Sequence, residues 1–224
     1  MSSREEGIKP QELDLSRDLS AALPEETSDM REFLRGDTSF ITYTGRSFDP
    51  FNPKAEDVSI MDIAHALGNT CRYGGMCQFY YSVAQHSGYV AQMAMDLNGT
   101  KTSPDWPLWG LLHDAAEAYI GDMPTPFKPF MTNFDKVETD ILRVIAEKFG
   151  LHWYGEAGVP DAIKKVDKRM LFTEARQLLP GADWCKYQPK WPETAGYDMM
   201  VQPMSPVAAE DAFLRTFGNL YYRR

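Results

Sequence analysis

The chain has 224 residues, of which 43% are hydrophobic and 12% aromatic, enough for one sizeable domain with an appendage. Its formal net charge of −9 and sequence pI of 5.0 argue against broad attachment to nucleic-acid polymers or anionic membranes, although a few local cations or a bound metal can still hold a small phosphate ester. The first twenty residues lack an apolar signal core, and no run of about 18 apolar residues appears, so a soluble cytoplasmic protein is expected.

Cys71, Cys77 and Cys185 form neither a CxxC pair nor an even framework, which points to reduced, structural thiols. Residues 1–36 are polar, acidic and weakly periodic and are expected to be an appendage to a domain spanning 37–224. "TSFITYTGRSFDPFNP" is rich in Thr, Ile, Tyr and Phe around a Thr-Gly turn, predicting a short hairpin or extended lead-in. Ile60, Ile63 and Leu67 then follow helical spacing up to "RYGG". Val83, His86, Val90, Met93 and Leu97 mark one face of a second helix. A third helix is predicted over 107–121, with Pro107 in its first turn and Gly121 at its end.

Beyond the proline loop, Phe134, Val137, Ile141, Val144 or Ile145, and Phe149 define a further helix closed by a glycine. "PDAIKKVDKRMLFTEARQLL" predicts a fifth, with Ile163, Val166, Met170 and Leu171 on one stripe. "WCKYQPKWPETAGYDMMVQP" reads as an irregular aromatic segment. Ser205 and Pro206 open a final helix as cap and first helical residue.

Several ionisable groups lie in apolar helical segments, where a carboxylate needs partners to offset desolvation. His86 is on the apolar face of the second helix, His113 and Asp114 follow "WGLL", and Asp167 interrupts the stripe of the fifth helix. Two imidazoles and two carboxylates from three helices can satisfy one another around one divalent metal. The mixed nitrogen and oxygen set suits Mn, Fe, Co, Ni or Zn better than Mg. Glu117, four residues beyond His113 and three beyond Asp114, shares a side of the helix with both; it can orient a water or act as general acid. Asp122 is placed at the helix end by "GDMPTP". His65 is expected to be a satisfied core histidine or a support behind a ligand. His152, beside Trp153, has no partner visible in the sequence, and Glu174, two turns beyond Asp167, can reach the site or a neighbour but is read as structural.

The order His86, His113-Asp114, Asp167 resembles the H…HD…D signature of the HD-domain metal-dependent phosphohydrolases. "HDAAEAYIGDMPTPFK" is similar to the HDxxE…GDxPTPxK segment of bacterial 5′-deoxynucleotidases and phage dATP triphosphohydrolases. "RYGG…FYYSVAQHS" is similar to their arginine-containing approach to the first metal histidine. The likeness runs from about Thr42 to Leu178. It implies an all-α HD-domain helical bundle, with metal ligands His86, His113, Asp114 and Asp167, and catalytic carboxylates Glu117 and Asp122 that position and deprotonate the attacking water. It also implies that Arg72, Lys128 and Lys164 bind phosphate, and that Tyr73 stands where an aromatic, commonly Trp, reads the sugar.

The expected activity is therefore hydrolysis of deoxynucleotide phosphate, with dATP or another dNTP ahead of a dNMP. An HD-type phosphodiesterase and a non-catalytic helical binding module are the alternatives. The expected cofactor is a divalent transition metal (Co, Mn, Zn, Ni or Fe). The expected partners are a deoxynucleotide and further copies of the chain in a homo-oligomer.

Overall fold

A tight turn from Thr42 to Arg46, with Gly45 at φ 80°, joins β1 (Phe40–Ile41) and β2 (Ser47–Phe48) into an antiparallel hairpin in which Phe40 faces Phe48. Buried Asp62 clamps it: the carboxylate accepts from Thr42 Oγ1 (2.9 Å), Thr44 N (2.6 Å) and Thr44 Oγ1 (2.8 Å). Phe48 is fully buried and stacks on Tyr119 with ring centroids 3.8 Å apart. The Thr- and aromatic-rich stretch predicts a short hairpin or extended lead-in; Asp62 and Tyr119 are what anchor it.

The computed structural model describes residues 38–97, 103–156, 158–183 and 196–222. The appendage expected over 1–36, and most of the aromatic segment beginning at Trp184, lie outside the described residues. The rest is mostly helical: α1 (Ile60–Asn69), α2 (Val83–Met95), α3 (Trp106–Leu112), α4 (Glu117–Ile120), α5 (Phe134–Lys148), α6 (Asp161–Leu178) and α7 (Pro206–Tyr221). Short 3₁₀ turns cover Arg72–Gly75 and Lys128–Phe130. Among the described residues, no helix is long and apolar enough to cross a membrane.

Local sequence explains most of the helix ends. Ser82 and Ser205 cap α2 and α7, their side chains accepting from Gln85 N and Ala208 N. At the end of α5, Gly150 has φ 62°. Leu151 N donates to Ala146 O and Gly150 N to Glu147 O, the paired bonds of a Schellman stop. Buried Leu151 adds the apolar contact that accompanies it.

The core forms between α1, α2, α3, α5, α6 and α7, with Leu67, Val90, Trp109, Ile145, Ile163 and Phe213 at most 1% exposed. Trp109 Nε1 donates to His152 O at 3.0 Å, so this large ring is buried without an orphan donor. On α6 the buried stripe is Ile163, Val166, Met170, Glu174 and Leu178. Leu171 is only partly buried, because a period of 3.6 carries the inward face from 170 to 174.

One predicted helix is divided. The segment expected to run unbroken from 107 to 121 forms α3 and α4, joined by four residues whose following amides bond three residues back. Ala115 N donates to Leu112 O and Glu117 N to Asp114 O, each at 3.0 Å. The overwound stretch contains His113 and Asp114. The His113 imidazole Nδ1 lies 2.8 Å from Gly110 O, taking a carbonyl that a regular helix would give to Asp114 N.

Candidate metal centre

Three elements converge on one point because their local chemistry leaves little freedom. The Ser82 cap starts α2 four residues before His86, whose amide donates to Ser82 O. Gly110 lets α3 lie against α2: a Cβ there would sit 2.9 Å from Ala91 Cα and 3.1 Å from Val90 O. His113 therefore faces His86 across a short gap. From the other side α6 presents Asp167 one turn before buried Met170.

His86 Nε2 and His113 Nε2 are 3.3 Å apart. His86 Nε2 lies 3.6 Å from Asp114 Oδ2 and 3.2 Å from Asp167 Oδ1; for His113 Nε2 the corresponding distances are 3.2 and 3.8 Å. The outward edges of the rings fix their protons. His113 Nδ1 meets a backbone carbonyl, which only accepts, and His86 Nδ1 lies 2.6 Å from the Glu174 carboxylate. Both Nδ1 atoms are thus donors, and both Nε2 atoms offer lone pairs toward carboxylate oxygens.

Four acceptors facing one another require positive charge between them. His86, His113 and Asp114 have donor atoms within 4.8 Å of one another, a grouping able to hold a metal ion. The imidazole and carboxylate set fits a divalent transition metal. Without one, protons take its place. Burial opposes the charged form of both histidines, but the surrounding carboxylates raise both pKa values, that of His113 well above normal. Burial also works against ionised Asp114 and Asp167, yet the imidazoles bring Asp114 down to about 2 and hold Asp167 well below its usual range.

Glu117 opens α4 and is 6% exposed, and its Oε2 has no hydrogen-bond partner among the described residues. Burial, then Asp114 and Asp122, push its pKa well above the carboxylate range. Asp122 follows Gly121, whose φ of 79° turns the chain out of α4. It is partly buried, and burial raises its pKa against the opposing pull of Arg72.

The sequence-selected cations fall in three environments. Arg72 is 8% exposed, with Nη1 3.4 Å from Asp114 Oδ2 and Nε 3.5 Å from Glu174 Oε2. Lys128 Nζ lies 3.0 Å from Glu138 Oε1 and 5.5 Å from the Phe134 ring centroid. It remains within electrostatic reach of Glu117 and Asp114, which help Glu138 raise its pKa against burial. Lys164 turns toward Asp161 Oδ1 at 3.5 Å and lines a depression with Trp106, Tyr154 and Val159. Tyr73 points inward, its hydroxyl 3.1 Å from Glu174 Oε2 and 3.2 Å from Leu171 O.

No protein-family model matches the chain. It is 33% identical over 184 residues to the uncharacterized protein YfdR of Escherichia coli K12, covering 81% of this chain and 96% of that one. The chain belongs to the YfdR family. It is also 33% identical over 138 residues to the uncharacterized protein RCAP_rcc00048 of Rhodobacter capsulatus, covering 60% of this chain and 70% of that relative.

In this YfdR-family chain, Glu174, which the sequence reading leaves as structural, reaches the site through His86 and Arg72, and Tyr81, which that reading does not single out, joins it there. Both are fully buried, and Tyr81 OH donates to Glu174 Oε1 at 2.7 Å. The available signal was spacing: Glu174 lies seven residues, two helical turns, beyond Asp167, on the stripe that carries Met170 and Leu178. The other two histidines lie away from the cluster, His65 in the supporting role expected of it. His65 pairs with Glu210 at 3.0 Å and stacks on Tyr43, while His152 packs edge-on against Tyr154.

Proposed function

We propose that this protein is a metal-dependent phosphohydrolase of the HD-domain type acting on deoxynucleotides, with dATP and other dNTPs as its first candidate substrates. The observation that carries the reading is the meeting of His86 Nε2, His113 Nε2, Asp114 Oδ2 and Asp167 Oδ1 at 3.2 to 3.8 Å, beside a buried carboxyl with an unpartnered oxygen.

A divalent transition metal held by His86, His113, Asp114 and Asp167 supplies Lewis-acid activation of water and neutralises charge on phosphoryl oxygens. The protein's own groups supply the rest. Arg72 reaches the same cluster and balances phosphate charge. As water attacks phosphorus, the less buried Asp122 takes its proton. The P–O bond to the leaving group breaks, and the neutral carboxyl of Glu117 gives its proton to the departing oxygen. Burial, which keeps Glu117 protonated, also keeps bulk water from that oxygen.

A second reading, a dNMP 5′-nucleotidase, is favoured by the ion pairs of Lys128 with Glu138 and Lys164 with Asp161. These direct two of the three candidate phosphate cations toward carboxylates. The deciding experiment is phosphate release and product analysis over dNTPs, dNMPs and NTPs with Mn²⁺, Co²⁺, Ni²⁺, Zn²⁺ or Fe²⁺. Release from dNTPs that stops with chelator is the expected result. Turnover confined to dNMPs selects the second reading, and no release under any of these metals refutes both.

A further inference from the structure

Glu174 carries a full complement of contacts that the reaction above does not use. It is fully buried, and burial disfavours a charged carboxylate unless its neighbours compensate. The neighbours divide between its two oxygens. Oε1 accepts from His86 Nδ1 at 2.6 Å and Tyr81 OH at 2.7 Å. Oε2 faces Tyr73 OH at 3.1 Å and Arg72 Nε at 3.5 Å.

The two sides lead to different halves of the site. Through Oε1, Glu174 sets the His86 tautomer that turns a bare Nε2 toward His113, Asp114 and Asp167. Through Oε2 it holds the turn that aims Arg72 at Asp114. That turn is strained: Tyr73 has φ 57° and ψ 27°, followed by Gly74 at φ 58° and Gly75 at φ 77°. The left-handed region is unfavourable for a residue with a Cβ. The Tyr73 hydroxyl bonds to Glu174 and Leu171 hold it there.

We infer that Glu174 is a positioning residue that joins the metal-facing edge of His86 to the guanidinium of Arg72, so that one buried carboxylate sets both the metal-binding and the phosphate-binding halves of the site. The inference rests on the metal-centre reading but not on the identity of the substrate. A purely structural carboxylate would change thermal stability and leave ligand affinities alone.

The test uses the full chain loaded with Co²⁺, whose visible absorption reports its ligand field, and inorganic phosphate as the anion. Glu174→Gln keeps shape and removes charge. It is expected to weaken Co²⁺ binding roughly 10–100-fold, the usual cost of losing a carboxylate behind a ligating histidine, to shift the Co²⁺ spectrum, and to weaken phosphate binding to the loaded protein. Tyr73→Phe separates the halves: Co²⁺ affinity is expected to stay at the wild-type value while phosphate binding weakens. Tyr81→Phe is expected to do the reverse, and these two variants carry the test if Glu174→Gln does not fold.

Wild-type Co²⁺ affinity and spectrum in Glu174→Gln overturn the inference, whatever its melting temperature. So does equal loss of both affinities in Tyr73→Phe and Tyr81→Phe. If wild type binds Co²⁺ but hydrolyses no deoxynucleotide, the substrate assignment fails while these affinities still decide the role of Glu174. If wild type binds no Co²⁺, the metal-centre reading and this inference fall together.

Discussion

Glu117 shows how the role proposed for it conflicts with stability at one residue. Its carboxyl is buried, one oxygen has no partner among the described residues, and burial, Asp114 and Asp122 all disfavour its charge. A carboxyl with a raised folded pKa contributes stability that is fully present below its unfolded pKa and lost as pH rises through the folded value. Glu117→Gln has no charge to gain on unfolding. In metal-free protein it is expected to melt at the same temperature as wild type near pH 4 and higher at pH 7 to 8. Each kcal/mol relieved is worth roughly 2–4 °C for a chain of this size. Calorimetry across that range checks it, and an equal difference at both ends would refute the assignment. The same variant is expected to lose about 10² to 10⁴ in turnover, the usual worth of a general acid, while retaining metal.

At the scale of elements, the distance between His86 and His113 is set by the crossing of α2 and α3, and that crossing depends on Gly110. The atoms a Cβ would meet there belong to the Ala91 and Val90 backbone, which cannot rotate aside. Gly110→Ala is therefore expected to cost about 1–3 kcal/mol through overpacking, to separate the two imidazoles and to weaken metal binding. Gly88, also within α2, has nothing within 4 Å of a Cβ and no positive φ. Gly88→Ala is expected to stabilise by about 0.5–1 kcal/mol through helix propensity. Thermal unfolding with metal titration of both variants checks the pair; tight metal binding in Gly110→Ala would show that the crossing does not set the site. The long amphipathic helices were legible because burial of one face and their capping residues agree, as in α5 with its glycine stop. The break at 113–116 was not, because "LLHDAAEAYI" has no Gly or Pro and is rich in Leu, Ala and Glu, all good helix formers. What interrupts the regular bonding is the His113 ring bound to Gly110 O, a conformation that the site's geometry requires and local propensity does not encode.

For the whole molecule, the site links segments far apart in the chain: α2, the α3–α4 junction and α6. His86, His113, Asp114 and Asp167 were legible because charge in an apolar stripe demands a partner, and their mutual approach satisfies that demand. Spacing along α6 puts Glu174 within reach of the site, but its role was not legible, because its partners Arg72 and Tyr73 lie in the 3₁₀ turn, and Tyr81 just before α2, roughly a hundred residues earlier. A ligand bridging distant helices stabilises the folded chain by mass action, about 2.7 kcal/mol at a hundred times its Kd, or roughly 5–11 °C here. The sign of its pH dependence follows from the histidines. Their metal-free pKa values are raised, so the stability contributed by the imidazolium groups is present at low pH and lost as pH rises through those values. Metal needs the same Nε2 lone pairs free of protons and gains where the protons leave. Co²⁺ is thus expected to raise the melting temperature more at pH 8 than at pH 6, and His86→Ala is expected to lose most of that increment at both. Scanning calorimetry of wild type and variant, with Co²⁺ and with chelator at each pH, measures it. A pH-independent increment, or one that persists undiminished in His86→Ala, would place the metal elsewhere in the molecule.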